Sequence, residues 1–398
     1  MRIAVDIRPL QNESGGRGVG RYVRELVASL PRAEDEYFYL ESRWAGESSL
    51  PAGAPGARVR LLRPPRAITL FDQLATPLFC ARRRIDLFHS TFYALPLFGG
   101  SKTRWVLTVH DLIPLVLPGS AGPKNTAIFR KIYESARAAE AVIVPSARTR
   151  VDLMRFMAIR PDKIHVIPMG VGAPFVPAAA DDGAAPGPSP SPGASVPRRP
   201  SFGPFAPLRA AGSPVLVYAG GFNTNKNAAL LIESLAAMEV GAGEAAPVLC
   251  LAGEPGPARE TLLAAARRAG VETRLVFLGR LSDEDLAAAY RAADVFVSAS
   301  RYEGFGLPAL EAMACGCPVA ALATAAVPEV LENAALVVDE EDPSELAIAV
   351  LRVLRGAGLR ADLVARGLAR AKNLSWSRAA ARTHALYRAL ARGGERAA

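Results

Sequence analysis

Four cysteines and four histidines in 398 residues are few, and their placement removes several chemistries at once. Cys80, Cys250, Cys315 and Cys317 stand in apolar or turn contexts that make neither a disulfide framework nor a zinc site. Cys315-Gly-Cys317 has one intervening residue rather than two and runs into a proline, as a buried helix end does. His89, His110, His165 and His384 lie too far apart in the chain for metal-ligand spacing. Apolar runs stay well short of the roughly 18 residues that span a bilayer. The start, Met1-Arg-Ile-Ala-Val-Asp-Ile7, meets charge too soon for a signal peptide. A cytoplasmic protein without a spanning segment is expected. Basic and aromatic residues do not interleave, which argues against nucleic acid as a partner.

Half of the residues are hydrophobic and 21% are charged, enough for substantial buried cores. The length suggests two or three domains. Lys and Arg total 47 against 38 Asp and Glu, a formal net charge of +9. That balance favours anionic partners such as an anionic membrane face or a phosphorylated substrate, or it simply keeps the surface soluble.

Strand-like and helix-like runs alternate almost throughout, which predicts an α/β protein with parallel sheets, twice over. In the first half the strands are expected at 3–7, 37–40, 59–62, 87–90, 105–109, 141–145 and 164–168, with amphipathic helices such as 21–30 and 125–139 between them. In the second half they are expected at 215–219, 248–252, 275–278, 295–297, 319–322 and 335–338. The domains are read as 1–177 and 214–374. Between them, 178–213 is rich in Pro, Ala and Gly and is expected to be a disordered insert, unable to offset its ordering entropy by burial. Residues 375–398 read as a terminal amphipathic helix anchored by Trp376, packing back on the first domain or lying on the second.

The densest chemistry is Glu303-Gly-Phe-Gly-Leu-Pro-Ala-Leu-Glu311. An apolar run ends just before it, so Glu303 falls at a strand's carboxyl end, where open α/β sheets bind ligands. Pro308 suits the first turn of a helix. The amides of Gly306 and Leu307 and the helix dipole then face an anion, a phosphate being the natural choice. Glu311, one turn on, suits a ribose diol, because a carboxylate accepts from two neighbouring hydroxyls. The alternative, two solvated glutamates flanking an ordinary loop, fits poorly with a complete strand-turn-helix-turn-strand unit.

Other segments carry weaker signals. Ser14-Gly-Gly-Arg-Gly-Val-Gly-Arg-Tyr22 is a glycine-rich turn before a helix but not a dinucleotide fingerprint, since Arg21 stands at the third glycine position. His110-Asp111 follows a strand, whereas His89 reads as core or near the site, His165 as mid-strand and His384 as a helix-face residue. Tyr218-Ala-Gly-Gly-Phe-Asn-Thr-Asn-Lys-Asn227 places Lys226 just before a helix, fit to neutralise a phosphate or to be a surface lysine. Asp283-Glu-Asp285 resembles a metal-binding acidic pair, yet Ser282 with Asp285 three residues on reads better as a helix cap. Arg148, Arg150, Arg155 and Arg160, interleaved with Leu153, Met154, Phe156 and Met157, form a helix fit for an anionic membrane, or one with a solvated basic face; Arg82-Arg-Arg84 could extend it.

Taken together these segments resemble family 4 of the retaining glycosyltransferases. The Glu303 to Glu311 motif with the following Ala-Met-Ala-Cys-Gly-Cys-Pro-Val319 is the most specific match. Gly18-Val-Gly-Arg-Tyr22, His110-Asp-Leu-Ile-Pro114, Ile167-Pro-Met-Gly-Val171 and Lys226-Asn227 support it. The resemblance implies the GT-B fold, two Rossmann-like domains facing across a cleft whose closure excludes water. It implies that Glu303 contacts the donor sugar and Glu311 the ribose. By the same likeness Gly18 and Gly20 bring backbone to the diphosphate, Lys226 clamps it, Phe305, Gly306 and Leu307 line the donor site, and His110 lies near the transferred sugar. No metal or other cofactor is implied.

The expected activity is transfer of a hexose, mannose or glucose, from a GDP- or UDP-linked donor to a glycan or lipid-linked acceptor. Asp6-Ile-Arg-Pro-Leu10, His89, Tyr93 and His110-Asp111 shade the likeness toward bacterial mannosyl-type members. One departure concerns the diphosphate: many relatives carry an arginine near the lysine, where this chain has Gly221 and Asn225. Rival readings are a sugar-nucleotide epimerase on the same plan and a binding protein without turnover.

Overall fold

The computed structural model describes all residues except 17, 32–34, 44, 47, 49, 51–53, 55, 62–67, 93–94, 97–101, 118–124, 179–201, 240, 242–243 and 396–398. The described chain forms two compact units, Met1–Gly170 with Leu374–Ala398, and Val171–Asn373.

The first unit contains a parallel sheet of β1 (Arg2–Asp6), β2 (Glu36–Ser42), β3 (Ala57–Leu61), β4 (Leu87–Ser90), β5 (Arg104–Thr108), β6 (Ala141–Val144) and β7 (Ile164–Val166), in the order β3-β2-β1-β4-β5-β6-β7. The second contains β8 (Val215–Ala219), β9 (Val248–Ala252), β10 (Leu275–Gly279), β11 (Val295–Ser298), β12 (Val319–Leu322) and β13 (Leu336–Val338), in the order β10-β9-β8-β11-β12-β13. Every pairing is parallel. β8 and β9 are apolar almost from end to end because helices cover both faces of such sheets. In each sheet the chain reverses its direction of strand addition once, at β1/β4 and at β8/β11. These reversals open crevices at the strands' carboxyl ends, where ligands of open α/β sheets bind.

On one face of the first sheet, helices Ile68–Arg83, Asn125–Ala138 and Ala147–Met157 bury Phe79, Ile132 and Leu153 against Phe38, Phe88 and Leu107. Helices Gly18–Ser29 and Trp376–Glu395 pack on each other within this unit, and Tyr387 of the latter reaches His89 on β4. In the second unit, helix Ala228–Ala237 buries Leu230, Leu231, Ile232 and Leu235 in a core shared with Leu216, Leu249 and Val297. Each such side chain contributes about 2 kcal/mol of transfer free energy, so Ile232→Ala would cost about 2–5 kcal/mol once the cavity is counted.

All thirteen expected strands are present, most with ends shifted by one or two residues. β1 stops at Asp6 because the chain turns into the short helical turn Arg8–Gln11, whose second residue is Pro9. The insert expected at 178–213 needs correction at its far end. Residues 179–201 lie outside the described residues, but Gly203–Phe205 and Ala206–Ala210 are helical and Phe205 is buried. Phe202 stacks edge-on against Phe205, and Arg209 pairs with Asp294 at 2.6 Å. Two aromatic rings and one ion pair suffice to dock a segment that its Pro-rich neighbours make look coreless. Helix Ile68–Arg83 has no counterpart in the sequence reading.

Candidate active site

In the second unit, β8 runs into the turn that ends at Lys226, and β11 into the loop that carries Glu303. The sheet order makes these strands neighbours, so residues 77 apart in sequence meet: Lys226 Nζ lies 2.5 Å from Glu303 Oε1. Both side chains are largely buried, 19% and 15% exposed. The two loops are also tied through their backbones. The Arg301 N–H donates to the Asn225 carbonyl at 2.8 Å, and Asn225 Nδ2 lies 3.5 Å from the Tyr302 carbonyl. Asn225, where the resemblance led one to look for an arginine, is therefore a buried structural group. Arg301 has its guanidinium on Glu341 at 2.9 Å.

The turn after β8 is held from below. The Tyr218 hydroxyl donates to the Gly221 carbonyl. Gly220 has φ +154° and Gly253 φ +142°, and a Cβ on Gly253 would stand 2.1 Å from the Gly220 oxygen. Only glycine allows that approach.

Beyond Glu303, Gly306 takes φ +96° and opens helix Leu307–Ala314, with Pro308 in its first turn. Open space surrounds the position a Gly306 Cβ would take. The first amides of a helix have no partner inside it, so this end offers donors and a partial positive charge to an anion. Lys226, Glu303, Gly306, Pro308, Tyr218, Ser298 and Ser300 line one small cavity of about 20 Å³. Among the described residues lining it, Lys226 and Glu303 are the charged ones. A second recess, about 380 Å³, runs along edge strand β13 and is lined by Asp339, Glu340, Glu345 and Arg352; it gathers none of the residues expected to bind a donor.

The structure thus brings Lys226, Glu303 and Gly306 together. Phe305 and Leu307 are buried and Glu311 is 2% exposed; none of the three lines this cavity. Tyr218, Ser298 and Ser300 were missed by the sequence reading. Tyr218 had one signal, its place at a strand end before two glycines. Asp283 and Asp285 lie in the first turn of helix Asp283–Ala292, where Ser282 Oγ accepts from the Asp285 N–H at 3.0 Å, the cap read from the sequence.

In the first unit, His110 follows β5 and its Nε2 lies 3.0 Å from the Thr91 carbonyl. Nε2 must be the protonated nitrogen there, because a carbonyl only accepts. Nδ1 is then a bare lone pair, buried and without a partner among the described residues. Burial lowers the His110 pKa to about 4, so the ring is neutral near pH 7. Tyr22 packs edge-on against it at 4.8 Å. The Tyr22 hydroxyl meets Thr108 Oγ1 at 3.1 Å, Thr108 meets His89 Nε2 at 2.7 Å, and His89 Nδ1 meets the Tyr387 hydroxyl at 2.6 Å. Burial, with the nearby His110, lowers His89 to about 3. Tyr22, Thr108 and Tyr387 were not anticipated; nothing local marks a tyrosine 298 residues from its histidine as its partner. His384 lies on its helix with Nε2 2.5 Å from Asp35. Tyr93 falls outside the described residues.

Gly18 is exposed at the start of its helix. Gly20 is buried for an internal reason: a Cβ there would meet the Gly15 oxygen at 2.4 Å, so its bare backbone lets the helix pack on the preceding turn.

Two family models match the chain. "Glycosyl transferases group 1" covers residues 204–370 and "Glycosyltransferase Family 4" covers residues 16–173. O-antigen chain mannosyltransferase B of Escherichia coli is 28% identical over 94% of this chain and 96% of its own. A D-inositol 3-phosphate glycosyltransferase of Salinispora arenicola is 31% identical over 93% of this chain and 86% of its own. Among solved structures, sucrose-phosphate synthase from Thermosynechococcus elongatus superposes with a TM-score of 0.76 at 23% identity, covering 98% of both chains. HepE of Anabaena, in complex with UDP and glucose, superposes with a TM-score of 0.73 at 16% identity, covering 98% of this chain and 100% of its own.

Proposed function

The chain belongs to the group 1 and family 4 glycosyltransferases, with the GT-B fold, and on that premise we propose that it moves mannose or glucose from a nucleoside diphosphate sugar to a glycan or lipid-linked acceptor, with retention and without a metal. The observation that carries this reading is the Lys226–Glu303 pair beside the open start of helix Leu307–Ala314, at the sheet's switch point. The name of the Escherichia coli relative supports mannose, and the UDP and glucose of the HepE complex support a nucleotide sugar of this general kind.

The chemistry follows from charge. The diphosphate lies at the helix start, with Lys226 as its cation and the amides of Gly306 and Leu307 as donors. As the bond from the anomeric carbon to the phosphate oxygen breaks, negative charge grows on the leaving diphosphate and is stabilised by these groups. Positive character grows on the sugar, and Glu303 stabilises it. The acceptor hydroxyl attacks from the same face, its oxygen bonds to the anomeric carbon, and its proton passes to the departing phosphate. Glu311 holds the ribose. His110 accepts a sugar hydroxyl on Nδ1, and Gly18 offers its amide to the diphosphate. In this reading Gly20 serves the same turn by letting it pack closely.

The test is a panel of GDP- and UDP-sugars, scored for protein-dependent release of nucleoside diphosphate, with Glu303→Gln in parallel. Release from one donor, lost in the variant, is expected; equal rates would remove Glu303 from the chemistry. A nucleotide sugar isomer formed without acceptor would favour an epimerase, and tight binding with no transfer to any acceptor a non-catalytic binder.

A lipid-linked acceptor fits a second observation. Val151, Met154 and Phe156 are exposed on helix Ala147–Met157, with Arg155 over the Phe156 ring at 5.3 Å, and Leu74 and Leu78 are exposed on helix Ile68–Arg83 ahead of Arg82. Exposed apolar groups edged by arginine suit an anionic bilayer face. Sedimentation with phosphatidylglycerol vesicles but not phosphatidylcholine vesicles is expected, and equal recovery with both would refute it.

A further inference from the structure

The ammonium proposed to bind the donor is already occupied. Lys226 Nζ is bonded to Glu303 at 2.5 Å, both groups are largely buried, and no other charged side chain among the described residues lines the cavity. Their loops are joined by the Arg301–Asn225 and Asn225–Tyr302 contacts, and the lysine's turn is held by the Tyr218 hydroxyl. The pair therefore parts by side-chain rotation, which the four-carbon lysine stem and the glutamate χ angles allow, without separating the loops.

We propose that Glu303 has a second role as the internal stand-in for the donor's phosphate: its carboxylate holds Lys226 until a diphosphate displaces it, and the carboxylate so released is the one that turns to the sugar. The proposal rests on reading this cavity as the donor site. Displacement exchanges one charge-assisted hydrogen bond for another, so binding pays for nothing but the difference. Diphosphate arrival and sugar engagement thus become one event. A ligand without an anion able to replace the carboxylate leaves Glu303 on Lys226, away from the sugar. Glu303 would in this way select for a diphosphate as well as stabilise the reacting sugar.

The test is a double-mutant cycle of equilibrium binding, with UDP and with GDP, on the parent, Glu303→Gln, Lys226→Gln and the double variant. The expected results are roughly tenfold tighter binding in Glu303→Gln, since the competing bond is weakened, and weaker binding in Lys226→Gln. The gain from Glu303→Gln must disappear in the Lys226→Gln background. Glu303→Ala repeats the test without a residual side-chain amide. A gain of equal size in both backgrounds would mean simple repulsion between carboxylate and phosphate and would overturn the exchange. No gain in either Glu303 variant would overturn it too, while leaving the donor site standing if Lys226→Gln still weakens binding. Unchanged affinity in Lys226→Gln, or no binding of either nucleotide by any variant, would overturn the donor-site reading and the exchange with it.

Discussion

At the end of β1 the Asp6 carboxylate is bound by Arg8, two residues along the same segment, with Arg8 Nε 2.7 Å from Asp6 Oδ1. At the switch point of the other sheet the carboxylate of Glu303, after β11, is bound by Lys226, from the turn after the neighbouring strand β8. The first pair closes on itself within one turn. The second joins two loops that lie 77 residues apart in the chain. Near His110 stands a hydrogen-bonded chain of neutral groups, Tyr22, Thr108 and His89. The same sheet topology thus sets a hydrogen-bonded cluster of neutral groups at the switch point of one unit and an ion pair at that of the other.

That contrast breaks most sharply at Lys226. Lys226→Ala should lower transfer by about 10²–10³, as loss of one charged stabiliser of a leaving group does, whereas Arg8→Ala should leave donor binding within about twofold. A steady-state assay with the productive donor checks both, and comparable losses would erase the distinction between a local and a bridging pair. In stability the two units should respond alike. Gly253→Ala forces a Cβ against the Gly220 oxygen at positive φ and should cost about 1–3 kcal/mol, and Gly20→Ala a similar amount against Gly15. Urea midpoints measure this, and a change below a few tenths would show that the backbone yields. His110→Phe, which keeps the ring packing and removes the lone pair, should reduce transfer roughly tenfold, the worth of one uncharged hydrogen bond.

A further effect is on pH. The folded chain takes up protons on His110 and His89 only near pH 4 and 3, whereas both would do so near 6.5 once unfolded. Between those values the unfolded chain binds more protons, so stability should fall as pH drops from about 6.5 toward about 3 and be flat, for these groups, above it. His89→Gln should flatten part of that slope in pH-dependent urea titrations. An unchanged slope would mean that His89 is not held neutral.

Much of the fold was legible because parallel strands buried on both faces are near-continuous apolar runs, and all of those runs proved to be strands. Helix Ile68–Arg83 was not, since Pro77 lies inside it and its pattern is not strongly amphipathic. Phe202 and Phe205 were hidden by Pro-rich neighbours. The glutamate motif, Lys226 and His110 could each be placed at a strand's carboxyl end from local sequence. Which strands stand side by side could not, and the β8–β11 adjacency is what brings Lys226 to Glu303. The Asn225 latch and the Tyr387–His89 bond are long-range in the same way.

The most direct test is a crystal structure with the productive nucleotide sugar or its nucleoside diphosphate bound. The account predicts a β-phosphate within hydrogen-bond distance of Lys226 Nζ at the start of helix Leu307–Ala314, with Glu303 no longer on the lysine. A nucleotide seated elsewhere, such as the recess beside β13, with Lys226 still on Glu303, would contradict it.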